Sequence, residues 1–150
     1  MYGLKCFLAI VLKRVNMDIE EFRIKHSILI EHYQYIEHHL EGLYAINKGK
    51  DFYDTLVKIE KDPISKLLSR INKEAGGQIL DDAECERLRI LNAERNYWTH
   101  NCYVDLAFDA KTGGLKHESD EQRLRNAIAE AENVRNMLFD KKLKYYKGRV

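Results

Sequence analysis

The sequence predicts an all-α fold: an up-and-down bundle of four to five helices. Three observations carry that expectation. One proline and eight glycines in 150 residues leave few interruptions. Apolar side chains make up 45% of the chain and recur at three- and four-residue intervals, with charged residues, 33%, between them. Strand-type alternation is absent. This length suits one domain with a single core, so residues 1–150 are expected to form a single domain.

"CFLAIVL", residues 6 to 12, is apolar and follows Lys5, as in the core of a secretory leader. Lys13 and Arg14 come next, no small-residue cleavage site follows, and the run is too short to span a bilayer. It reads as a buried first helix or the start of one. Asn16 or Asp18 caps a helix reaching about Asn47, whose seam is Ile19, Phe22, His26, Leu29, Tyr33, Ile36, Leu40 and Leu43. "NKGKD" ends it, and residues 52 to 60 suit a short helix. Asp62 caps the next helix, Pro63 fits its first turn, and Gly76 or Gly77 closes it. Another starts at Asp81 or Asp82 and is expected to reach about Phe108. "KTGG", residues 111 to 114, is a loop. Ser119 and Gln122 form a capping box for the last helix, which carries Leu124, Ile128, Ala131, Val134 and Leu138 and stops before Gly148. Helices of nearly thirty residues would span roughly 45 Å.

A net charge of +1 excludes a global basic field, so a polyanion would need a local patch. The three cysteines, Cys6, Cys85 and Cys102, are odd in number and lack C-x-x-C spacing. That argues against a disulfide framework and a zinc finger, and for a reducing cytoplasm. No membrane association is expected. Gly-rich phosphate loops, a Ser-His-Asp order and a nucleotide fingerprint are all missing.

The chemistry concentrates in "AERNYWTHNCY", residues 93 to 103. At 100° per residue, Leu80, Leu88, Leu91, Trp98, Cys102 and Leu106 form one face of the helix, with Arg95 among them. Ile90, Ala93, Tyr97, Val104 and Phe108 form a second, with Asn96, His100 and Tyr103 at its edge. One face serves the core; the spare one suits a partner chain. Arg95 keeps its charge at any ordinary pH, so it needs an acid, a phosphate or water beside it. His100 lies about 140° from Arg95 around the axis. Within one helix the two do not converge well; a two-fold axis between antiparallel copies of this helix would bring them to one groove.

Arg95, Asn96 and His100, separated as R-N-x-x-x-H, resemble the motif of the HEPN superfamily. The resemblance implies an all-α homodimer joined about the motif helix. It also implies RNA as the partner, since many members cleave RNA without a metal in toxin–antitoxin, phage-defence or RNA-processing systems. An antitoxin or nucleotidyltransferase partner would accompany the toxin subtype. In that subtype a tyrosine falls two residues after the histidine; here Cys102 holds that place and Tyr103 follows.

Cleavage without a metal or other cofactor needs proton transfer and charge stabilisation. His100 suits the first as general base or acid, and Arg95 suits a phosphate clamp. Asn96, four residues before His100, can orient the ring or the ribose, and Tyr103 can bond a phosphate or stack on a base. Lys141, Lys142, Lys144, Lys147 and Arg149, with Tyr145 and Tyr146 among them, suit an RNA backbone, although cations also favour helix C-termini.

Two other readings stand beside this one. In the first, a non-catalytic helical module uses Arg95 and His100 to hold a dimer or bind nucleic acid. In the second, a metal-binding bundle uses His26, His32, His38 and His39. No two of these histidines have the three- or four-residue spacing of helical ligand pairs, so no metal site is assigned. His26 reads as a polar core residue and the others as solvated or lining an inter-chain groove.

Overall fold

A computed structural model describes residues 16–49, 51–60, 62–75 and 79–148. The apolar run at residues 6 to 12, Cys6 and the glycines proposed to close the Asp62 helix lie outside the described residues. Six helices account for most of the rest: α1 Ile19–Lys48, α2 Phe52–Ile59, α3 Ile64–Ala75, α4 Asp82–His100, α5 Cys102–Asp105 and α6 Glu118–Lys147. None is long and apolar enough to cross a membrane.

Local chemistry sets the boundaries. The Asp18 carboxylate accepts the Glu21 amide at 2.8 Å and starts α1. Asp81 and Glu84 form a reciprocal capping box on α4. The box expected from Ser119 and Gln122 does not form. α6 begins at Glu118 with His117 in the cap position, which places Ser119 inside the helix, and the Gln122 amide donates to Asn126 instead.

Successive main helices alternate in direction. The end of α2 returns to Glu37 and Glu41, so α2 runs against α1. Glu74, near the end of α3, meets Tyr44 and Lys48, so α3 runs with it. α4 descends from Cys85, which bonds Asn72, past Glu37 to His26. α6 then rises parallel to α1: Glu121 accepts the Met17 amide at the base, Arg135 meets His32 midway, and Lys142 lies against Gly42 above. The core is the shared inner face of these helices, with Phe22, Leu29, Ile36, Leu40, Leu67, Leu88, Trp98, Leu124, Val134 and Leu138 fully buried.

α4 stops eight residues short of the expected end. The Asn101 amide still bonds the Tyr97 carbonyl, but the Asn101 carbonyl then receives both Val104 and Asp105, turning the chain into the short α5. The Thr99 hydroxyl bonds back to the Arg95 carbonyl at 2.8 Å, a contact that competes with the helical ladder. The turn keeps Cys102 and Leu106 in the core and releases Phe108 into a small closure at the base. There Phe108 pairs with Leu115 and Asp18 with Gly114 as isolated antiparallel bridges. Asp109 accepts the Lys111 and Thr112 amides, and Gly113 takes a positive φ of 68°, where a side chain would be strained.

Candidate functional site

Arg95 leaves α4 towards the junction of α1, α2 and α3. Its guanidinium meets the Glu37 carboxylate at 2.5 Å, with about a quarter of each side chain exposed. The two sit in a recess of about 290 Å³ lined by Glu37, Glu41, Glu60, Asp62, Pro63 and Arg95. Asp62 is occupied by Lys66 and Arg70, each at 2.6 Å. Burial raises the Glu41 carboxyl above its ordinary value, and the charges of Glu37, Glu60 and Asp62 push the same way. Arg95 is thus the cation at the centre of an acidic recess, which repels a phosphate rather than attracting one.

His100 ends α4 on a different side and is exposed, as are Asn96, Thr99 and Asn101. Arg95 and His100 do not meet within one chain. Tyr103, 53% exposed, lies edge-on to Phe22 and His26. Burial of part of the ring raises its hydroxyl above the ordinary phenol value, with Arg23 opposing weakly. It is therefore a proton-bearing donor at neutral pH.

Between these sides α4 is fastened to the bundle. Trp98 is fully buried, and its indole N–H donates to Glu94 at 3.2 Å. Glu94 also pairs with Arg123 of α6 at 2.8 Å, and Arg123 lies 3.7 Å over the Tyr97 ring. Below Trp98, His26 Nε2 lies 2.7 Å from the Trp98 carbonyl and so carries the donated proton. His26, half-buried at the edge of the core, keeps this hydrogen bond on the seam where its spacing places it. The Cys102 thiol, pushed up by burial, donates to the same carbonyl at 3.2 Å and has no reactive character.

The C-terminal lysines divide. Lys141 is spent on the Ile79 carbonyl and Glu84, which ties α6 to the start of α4. Lys142 lays its stem on Gly42. Lys144 is exposed. They sit at the top of the bundle, whereas His100 is at the base, so they do not extend a surface around His100.

The α1 histidines also depart from expectation. His32 and His39 are buried within the chain rather than solvated, while His38 is exposed as expected. The helix turns them towards α6, where His32 meets Arg135 and His39 packs on Phe139. Among the described residues no group of three His, Cys, Asp or Glu side chains is placed to hold a metal ion. Burial, with the Lys142, His38 and Arg135 charges, pushes His39 down to about 4. A base depressed in the fold binds its proton more readily when unfolded. Its stabilising contribution is complete above pH 6.5 and is lost as pH falls towards 4. At about 1.4 kcal/mol per pH unit, the loss has a ceiling of roughly 3 kcal/mol. Urea titrations across that window should show it, and His39→Gln should flatten the slope.

Sequence reasoning missed Glu37 as the partner of Arg95. Only Glu37 and Glu41 share a helical spacing; Glu60 and Asp62 reach the recess through the turn between α2 and α3. Comparison of the chain with protein-family models, with curated proteins and with solved structures finds no match.

Proposed function

We propose that this chain is a HEPN-like protein that contacts RNA with the open end of α4 and cleaves it without a metal cofactor. One observation supports this most. From Arg95 to Val104 the sequence has no carboxylate, and Asn96, Thr99, His100, Asn101 and Tyr103 are all exposed there with hydrogen-bonding groups. In this reading His100 takes the 2′-hydroxyl proton as that oxygen attacks the adjacent phosphorus. It then returns the proton to the departing 5′-oxygen. Asn96, on the same helical face four residues away, orients the ring or the ribose, and Tyr103 donates to a phosphate oxygen. Arg95 becomes a positioning residue, because Glu37 already satisfies it. A composite groove in which Arg95 of one copy serves His100 of another would require Arg95 to leave Glu37; the one-chain form does not.

The same ion pair favours a second reading, a catalytically silent helical module. Cleavage of single-stranded RNA in chelator by wild type, His100→Ala and Arg95→Ala separates the two. Loss of at least a hundredfold in His100→Ala, the scale of a missing acid–base group, supports the proposal. Equal cleavage by wild type and His100→Ala overturns it as contamination. RNA binding without cleavage by wild type selects the silent module, and neither binding nor cleavage removes RNA from the account.

A further inference from the structure

Among the described residues, the outer face of the α1–α6 pair carries the largest share of exposed apolar side chains. Of the eleven large hydrophobic side chains exposed among the described residues, six lie on these two helices: Ile24, Ile28, Tyr35, Phe139, Leu143 and Tyr146, between 39% and 63% exposed. Their spacings, four and seven along α1 and four and three along α6, keep each set on one helical face. His39 joins the two sets, since Tyr35 stacks on it at 6.3 Å and Phe139 packs on it at 5.6 Å. Two parallel helices of thirty residues, each about 10 Å wide, present roughly 45 by 20 Å. That is about 900 Å², against the roughly 800 Å² per partner of a standard interface.

We propose that this face is a homodimer interface in which a second copy packs antiparallel about a two-fold axis near Tyr35 and Arg135. Charge fixes both the occupant and the direction. Along α6, residues 118–132 hold five acids and two bases, while residues 133–147 hold one acid and five bases. Such a gradient repels a parallel copy and matches an antiparallel one, as a self-complementary two-fold contact requires. The dipoles of α1 and α6 add within one chain and are opposed by those of an antiparallel copy. Single-stranded RNA fits less well: Arg135 already covers Tyr35 at 4.4 Å, and the charges of Glu31 and Glu132 reach His32 beneath this face. The face lies across α1 from His26 and Glu37, which touch α4, so the proposal does not rest on the function assigned to His100.

With the axis at that height, α1 lies on its own copy and α6 on its own copy, so Tyr35 faces Tyr35 of the second chain. Light scattering of the size-fractionated wild-type protein should give twice the mass of one chain at micromolar concentration. Ile28→Glu with Phe139→Glu should weaken self-association at least tenfold with helicity unchanged, whereas Val57→Glu, on α2, should not. In a Cys6→Ser background, Tyr35→Cys should form an inter-chain disulfide that Val57→Cys, on α2, does not. This second measurement decides the matter if the double glutamate variant fails to fold. A wild-type monomer at 100 µM, a dimer that survives the double variant, or a monomer that binds single-stranded RNA through Tyr35 and Phe139 overturns the proposal.

Discussion

Replacing Trp98 with alanine should cost about 3–5 kcal/mol of folding stability, the largest loss expected from any single change in α4. The indole is fully buried, and its removal opens a cavity where α4 meets α1 and α6. It also strips Glu94 of the indole donor while Arg123 still pulls on the same carboxylate. Domains of this size are stable by only about 5–15 kcal/mol, so the midpoint of urea unfolding should move far below that of the wild type. Trp98→Phe restores most of the volume but not the N–H, and should recover more than half of the loss. A cost under 1 kcal/mol for Trp98→Ala would mean that α4 is not seated through this residue. The pair also guards the reading of His100, since Trp98 sits two residues before it. A nuclease signal lost in Trp98→Ala and kept in Trp98→Phe reflects seating of the helix, not chemistry at the ring.

The sequence made the helices legible wherever caps and periodicity agreed. Asp18, Asp81 and the Phe22-to-Leu43 seam have direct structural counterparts, because a short carboxylate beside a free amide and an apolar stripe act locally. The end of α4 was not legible. Trp98, Cys102 and Leu106 keep helical spacing across the break, and no glycine or proline marks it. The turn at Asn101 follows from tertiary demands: the chain must feed Phe108 and Leu115 into the closure beneath α1. The motif itself was legible as residue types and spacing. The direction taken by Arg95 was not, since it depends on two carboxylate-bearing segments, α1 and the turn between α2 and α3, meeting in space. The sequence argument that Arg95 needs an acid, a phosphate or water was sound, and the structure supplies the acid from Glu37.

That pairing yields an asymmetric stability result. Arg95→Ala should cost about 2 kcal/mol at pH 7, less than the roughly 3–5 kcal/mol for breaking a fully buried pair, because a quarter of each side chain is exposed. Glu37→Gln should cost less, under about 1 kcal/mol, because Arg95 then still faces Glu41 and Glu60 across the recess. Removing the cation leaves like charges facing one another; removing one anion does not. The pH dependence has a definite sign. Without Arg95 the remaining carboxylates repel, which extends the upward shift already present at Glu41. A carboxyl raised in the fold holds its proton more tightly when native, so the penalty of Arg95→Ala should shrink as pH falls through the carboxylate range. Arg95→Lys keeps the charge and should recover part of the loss, short of all of it because the planar fork is gone. Chemical denaturation of the variants at pH 7 and pH 4.5 checks every limb. If Arg95→Ala is as stable as wild type at pH 7 while losing RNA cleavage, Arg95 is a phosphate clamp after all and its contact with Glu37 is incidental. If it loses stability with the predicted pH slope, Arg95 holds α4 against α1, and the chemistry of the motif falls to His100.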